Sequence, residues 1–324
     1  MDTGDDAAER DADGKAVPQA AADADADAKA TGRATRVTPG LCRALLPDDQ
    51  LDVRVRSAFD PETRKWASSH LGGDAAWSVD YFVRFFHNPL RTVLGNLSMD
   101  ALECASGYGL NAIAYLLSGG ASIRGYDIDQ ARIAFASELA ERLGLGDRAS
   151  FQYGDIHALP ASPAVGAVFT LQTLEHVPRP LEALRALADR AEKAIVISTP
   201  NRLFPIDGHD TGLAFAHWLS NAQRKRYASW RGAPTAQLCS FLSAFDIDAT
   251  IPDFELRTHA YNFARLSDWL DQYPCFFPYG PDGGRWLGAR KHRFRWRCAK
   301  GAFRVAGAAA RMVAPVLEGI YVRR

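Results

Sequence analysis

The stretch Asp100-Ala-Leu-Glu-Cys-Ala-Ser-Gly-Tyr-Gly-Leu-Asn-Ala112 restricts the choice of fold more than any other part of the chain. A short apolar run reaches Glu103, breaks into a loop with Gly107 and Gly109, and continues from Leu110 as a helical pattern. Glycine lets the backbone turn tightly and lets a ligand approach its N–H groups, while the N-terminus of the following helix faces that ligand. Such a strand, loop and helix bind a cofactor. Gly107, Gly109 and Ala112 also fit the G-x-G-x-x-A form of the dinucleotide fingerprint, so the loop alone leaves NAD and other nucleoside cofactors open.

Downstream, strands and helices alternate. A helix to about Leu117 leads through Ser118-Gly-Gly to a strand ending at Asp127, then to a helix over Gln130 to Leu143 and a strand over Ala149 to Tyr153. The next strand, Ala164 to Leu171, is nearly all apolar, as a parallel strand covered on both faces should be. Leu181 to Arg190 reads as a helix and Ala194 to Ser198 as strand five. This order specifies an α/β fold with a doubly wound, mostly parallel sheet. Asp127 stands about twenty residues after Gly107, where an acid at the end of the second strand meets a cofactor ribose. Phe254 to His259 suggests a sixth strand, and a seventh is not evident. Between Trp77 and Leu94, Tyr81, Phe82, Phe85 and Phe86 at helical spacing predict a helix with an aromatic core face, interrupted by Pro89. Arg84 or Arg91 could then reach a ligand carboxylate.

The chain divides on these grounds into an Ala/Asp-rich disordered tail (1–36), a helical lead-in (37–99), a cofactor-binding core (100–201), a lid insertion with the final sheet elements (202–284), and a basic amphipathic helical extension (285–324). No secondary structure is assigned within 41–73. Lys+Arg and Asp+Glu balance at 38 each, so no global field favours nucleic acid or membrane. Five scattered cysteines without a C-x-x-C pair argue against a disulfide framework and for a reducing, cytoplasmic setting. In the extension, Arg304, Arg311 and Glu318 recur every seven residues among apolar positions, a pattern suited to a helix docking on the domain or lying peripherally on the inner face of a membrane.

Taken together, these residues resemble the class I S-adenosylmethionine-dependent methyltransferases over about Trp77 to Asn201, with motifs similar to the branch of ubiquinone-biosynthesis O-methyltransferases. The resemblance implies a Rossmann-like methyltransferase fold and S-adenosyl-L-methionine as cofactor. It places Glu103, Ala105, Gly107 and Gly109 in the loop, Asp127 on the ribose, Ile128 and Ile156 against the adenine, and Asp155 on its amino group. Gln172 lies after strand four on the cofactor side, in the Gln-Thr-Leu-Glu-His-Val-Pro motif. Ala105 replaces the commoner glycine, and Gly166 stands where the family usually has Asp. Some relatives carry a metal-holding Glu-x-x-Glu-His here; with Gln172 as the first position, a neutral amide replaces one hard ligand and no bound metal is expected.

Methyl transfer needs alignment and exclusion of water, and a hydroxyl acceptor also needs its proton removed. His176 and His209 are the candidate bases, because imidazole titrates near neutral pH, and Glu175 can orient either a histidine or the acceptor. The lid brings Asp207, His209, Asp210, His217 and Trp218 over the crevice. The expected partner is therefore a small hydroxylated metabolite, glycan or lipid-linked acceptor, with no nucleic acid. The alternatives are an NAD-dependent oxidoreductase and a non-catalytic binding protein that docks through its C-terminal extension.

Overall fold

In the computed structural model, residue 48 and residues 51–205, 211, 213–233, 239–259 and 316–324 are described. The first elements are helices α1 (Val53–Ala58), α2 (Pro61–Leu71) and α3 (Ala75–Phe82). Asp60 caps α2 by accepting from Glu62 N and Thr63 N, Pro61 opens it, and Gly72 ends it in the left-handed conformation. That is a complete start and stop signal, which the mixed composition of 41–73 had obscured. After α3 the chain widens into a π turn over Val83–His87, with Asn88 N donating to Val83 O, and continues as α4 (Asn88–Leu94). Pro89 therefore does not interrupt the helix: it falls in the first turn of α4, where a missing N–H costs little. Trp77, Tyr81, Phe85 and Phe86 are buried as core. Arg84 pairs with Asp80 and Arg91 donates to Ser118 O, so both arginines are engaged within the protein.

Five parallel strands follow: β1 (Asp100–Cys104), β2 (Ser122–Asp127), β3 (Ala149–Tyr153), β4 (Val165–Leu171) and β5 (Ala191–Pro200). Helices α5 (Leu110–Leu117), α6 (Gln130–Arg142) and α7 (Pro180–Ala188) cross between them. Beyond β5 lie α8 (Asn221–Trp230) and α9 (Ala244–Thr250), each opened by a capping box, then β6 (Phe254–His259) and β7 (Val316–Arg323). The seven strands are ordered β3-β2-β1-β4-β5-β7-β6, and β7 runs against both of its neighbours. This is the expected Rossmann-like methyltransferase sheet. One apolar cluster packs the N-terminal helices, α5 and α6 on one face, and a second packs α7 and α9 on the other.

The C-terminal extension is corrected at its end. Residues 316–323 are the seventh strand, not part of a helix. Val-Leu-Glu-Gly-Ile-Tyr-Val is rich in β-branched and aromatic side chains, and Leu317, Ile320 and Tyr321 are buried against the sheet. Glu318 falls seven residues after Arg311 by coincidence of spacing. Residues 285–315, with Arg304 and Arg311, lie outside the described residues. Because β7 joins β5 to β6, removing residues 316–324 is expected to abolish cooperative unfolding in a thermal melt. An unaltered melting transition would show the strand to be dispensable.

Candidate active site

Parallel strands place the ends of β1, β2, β3, β4 and β5 along one edge, and the order reverses between β1 and β4. Ligands of open α/β sheets bind at that reversal. The loop there alternates into the left-handed region, with φ of 55° at Ala105, 53° at Gly107 and 71° at Gly109. A Cβ on Gly109 would lie 2.8 Å from Ala136 Cβ and from Phe151 Cζ, so this glycine is set by packing against α6 and β3. A Cβ on Gly107 would meet nothing within 4 Å, which leaves that side of the loop open. Ala105 adopts the conformation that glycine takes without strain, at a cost of roughly 1 kcal/mol.

Asp127 ties the loop down. One carboxylate oxygen accepts from Gly107 N at 2.7 Å and the other from Asp129 N at 2.9 Å, and Ser106 N donates to Tyr126 O. Beside Asp127, Ile128 is 68% exposed, an apolar side chain held out at the end of β2. Tyr153, paired in register with Asp127, is also exposed and was not singled out from the sequence. Asp155 accepts from His157 N at 2.8 Å, and Ile156 is half-buried next to the second core cluster.

Glu103 is buried at the end of β1. One oxygen accepts from Asn111 Nδ2 at 2.9 Å, and the other is buried without a hydrogen-bond partner. Burial pushes its carboxyl up to about 8, with the nearby Asp127 charge adding to the rise. Asn111 was missed by sequence reasoning; its position two residues beyond Gly109 was the available signal. Its carbonyl faces Nε2 of the fully buried His87 at 3.2 Å, and burial lowers that imidazole to about 3, so it is neutral.

At the end of β4, Gln172 sits at φ 54°, its N donating to Ser198 O and its Nε2 to Ser198 Oγ at 2.8 Å. A 3₁₀ turn over Leu174–His176 follows. Glu175 is buried, with Oε2 accepting from Thr199 Oγ1 at 3.0 Å and Oε1 lying 4.0 Å from His176 Nε2. The His176 side chain is 53% exposed, and its Nδ1 lies 3.5 Å from the sulfur of buried Cys239. Thr199 and Cys239 thus join a cluster in which only Glu175 and His176 were anticipated. His209, Asp207 and Asp210 lie outside the described residues. In the segment after β5, buried His217 bonds through Nε2 to Phe204 O and packs on Phe241, so its ring is taken up in the packing of that segment. Trp218 is half exposed, with Nε1 on Arg202 O at 2.7 Å. Among the described residues, no group of three or more His, Cys, Asp or Glu could hold a metal ion.

The chain matches the methyltransferase domain family over residues 100–238. Residues 100–238 are thus similar to a methyltransferase domain. No curated protein sequence matches the chain. Among solved structures it is similar to geranyl diphosphate methyltransferase in complex with SAM, at 13% identity and a TM-score of 0.47, covering 82% of this chain and 93% of that one. It is also similar to magnesium protoporphyrin IX methyltransferase from Synechocystis PCC 6803 with bound SAH, at 16% identity, TM-score 0.40 and coverage of 64% and 85%. A third is the [4+2]-cyclase SpnF, at 17% identity, TM-score 0.44 and coverage of 75% and 81%.

The cofactor of the methyltransferase domain is S-adenosylmethionine, and the residues present fit it. An open glycine edge at Gly107, an exposed Ile128 shelf and a buried, half-satisfied Glu103 offer a surface for a backbone-hugging nucleoside with a cationic amino-acid end. A consequence can be measured. With its carboxyl near 8, Glu103 is protonated at pH 7, and an ammonium brought against it favours the carboxylate. Cofactor binding at pH 7 is therefore expected to release a proton and to tighten as pH rises from 6.5 to 8.5. Calorimetry in buffers of different ionisation enthalpy measures this, and binding without proton release would exclude the contact. The same shift weakens the empty fold. The native state binds this proton more tightly than the unfolded chain, so that contribution to stability is whole below pH 4.5 and lost as pH rises through about 8.

Proposed function

We propose that this methyltransferase transfers the methyl group of S-adenosylmethionine to a hydroxyl oxygen of a small metabolite, glycan or lipid-linked precursor. The observation that carries this reading is the Thr199–Glu175–His176 arrangement, which puts a buried carboxylate and an exposed imidazole together beside the ends of β4 and β5. Bound S-adenosylmethionine supplies an electrophilic methyl group, and the protein's task is to align the acceptor, exclude water and take up one proton.

Each group has a part in that task. Thr199 fixes the Glu175 carboxylate through its hydroxyl. The buried Glu175 carboxylate lies 4.0 Å from Nε2 of the exposed His176, near enough to act on that imidazole by its charge. His176 then accepts the hydroxyl proton, and the neighbouring carboxylate stabilises the resulting imidazolium. On the cofactor side, Asp127 holds the ribose hydroxyls, Ile128 and Ile156 flank the adenine, Asp155 accepts from its amino group, and Gln172 borders the methionine end. His209 stands as a second candidate base within the lid. No metal takes part in this reading. The reading is tested by incubating the chain with labelled S-adenosylmethionine and a fractionated metabolite and lipid extract, then determining the mass and linkage of the product. A methyl ether supports it. A product methylated on nitrogen, carbon or sulfur would overturn the choice of oxygen.

A further inference from the structure

The outward face of α8 carries a pattern for which methyl transfer has no use. The helix turns Arg224 and Ala228 inward, and Arg224 Nη2 donates to Cys239 O at 2.6 Å and to Asn221 Oδ1 at 2.9 Å. Around the helix, Lys225 with Ser229 and Arg226 with Trp230 form two (i, i+4) pairs that line a shallow surface concavity. Trp230 is 76% exposed, the highest value of any large apolar side chain among the described residues. Tyr227 stacks against it at 6.1 Å and the Arg231 guanidinium lies 5.6 Å from its ring centroid. In the preceding turn, Phe215 and Trp218 are each about half exposed with ring centroids 4.8 Å apart. No Asp or Glu occurs between Asp210 and Asp246, a stretch that contains Arg224, Lys225, Arg226 and Arg231.

We propose that this face is a membrane-interface site that docks on anionic phospholipid headgroups, with Trp230 entering the boundary between headgroups and acyl chains. Indole has an apolar body and one polar edge, which suits it to that boundary, and an uninterrupted set of basic side chains complements a negative lipid surface. Single-stranded nucleic acid also pairs phosphates with aromatic rings, but along a groove with successive stacking platforms. Here one outward-facing helix presents the charges and Trp230 together. The chain's own segment 285–315 cannot complement this face, because it contains Arg and Lys but no Asp or Glu. Like charges repel.

The test is co-sedimentation of the full chain with vesicles of mixed phosphatidylglycerol and phosphatidylcholine, against vesicles of phosphatidylcholine alone. Binding to the mixed vesicles is expected to be at least about tenfold tighter and to weaken with added salt. The double variant Lys225→Glu/Arg226→Glu and the single variant Trp230→Ser are each expected to lose about tenfold or more in vesicle affinity, since both alter groups at the proposed contact. All three sites are exposed, and an unchanged thermal melt shows that the variants fold. Failure of the wild-type chain to bind mixed vesicles overturns the proposal. So does binding that both variants leave unchanged, which would place the contact elsewhere, or displacement from vesicles by a single-stranded oligonucleotide, which would assign the face to nucleic acid.

Discussion

Replacing Asp127 with alanine is expected to weaken S-adenosylmethionine binding by at least ~100-fold. The Asp127 carboxylate accepts from Gly107 N and Asp129 N, and so holds the glycine loop in its left-handed turn before any cofactor arrives. Alanine removes both bonds together with the acceptors proposed for the ribose. Hydrogen bonds to charged groups contribute about 1.5–3 kcal/mol each, so losing two gives the stated factor at the low end. Asp127→Asn keeps one acceptor oxygen and should fall between. Calorimetric titration measures all three proteins, and a thermal melt separates lost binding from lost fold. Near-wild-type affinity in Asp127→Ala would remove Asp127 from the cofactor site.

The second large effect is expected in turnover. Glu175→Gln keeps the shape of the side chain and its bond to Thr199 but removes the charge that would stabilise a protonated His176. We expect kcat to fall by about 100-fold or more, within the usual range for general acid–base groups, with cofactor affinity nearly unchanged. His176→Ala should behave alike, and the double variant should lose little more than either single one, because the two residues act as a unit. Unchanged kcat in His176→Ala would return His176 to a structural role beside Cys239.

Much of this architecture can be read from the chain because the core elements are locally consistent. The near-continuous apolar β4, the Gln130–Arg142 helix capped by Asp129, and the glycine loop all combine the right period with the right boundary residues. Asp127 was legible for the same reason: its distance from Gly107 is set by the length of one helix and one strand. Two kinds of information were not legible. β7 comes 56 residues after β6, and nothing local tells Val316–Arg323 that it will fill the slot between β5 and β6; only the apolar partners across the sheet decide it. Asn111, Thr199 and Cys239 were missed because each acts through a neighbour brought close by the fold. Asp60 and Pro61 form the opposite case, a local cap signal that could have placed α2 from the sequence.

The distinction between a methyl donor and a nicotinamide cofactor rests on residues around the loop more than on its glycines. Carboxylates at the ends of β1 and β2, one buried and half-satisfied and the other gripping the loop, suit a nucleoside with a cationic tail better than a pyrophosphate. The most direct measurement is calorimetric titration of the full chain at pH 8 with S-adenosylmethionine, S-adenosylhomocysteine and NADH in separate runs. Saturable one-to-one binding of the first two with no heat from NADH is the predicted result. Binding of NADH with no affinity for either sulfur nucleoside would contradict it.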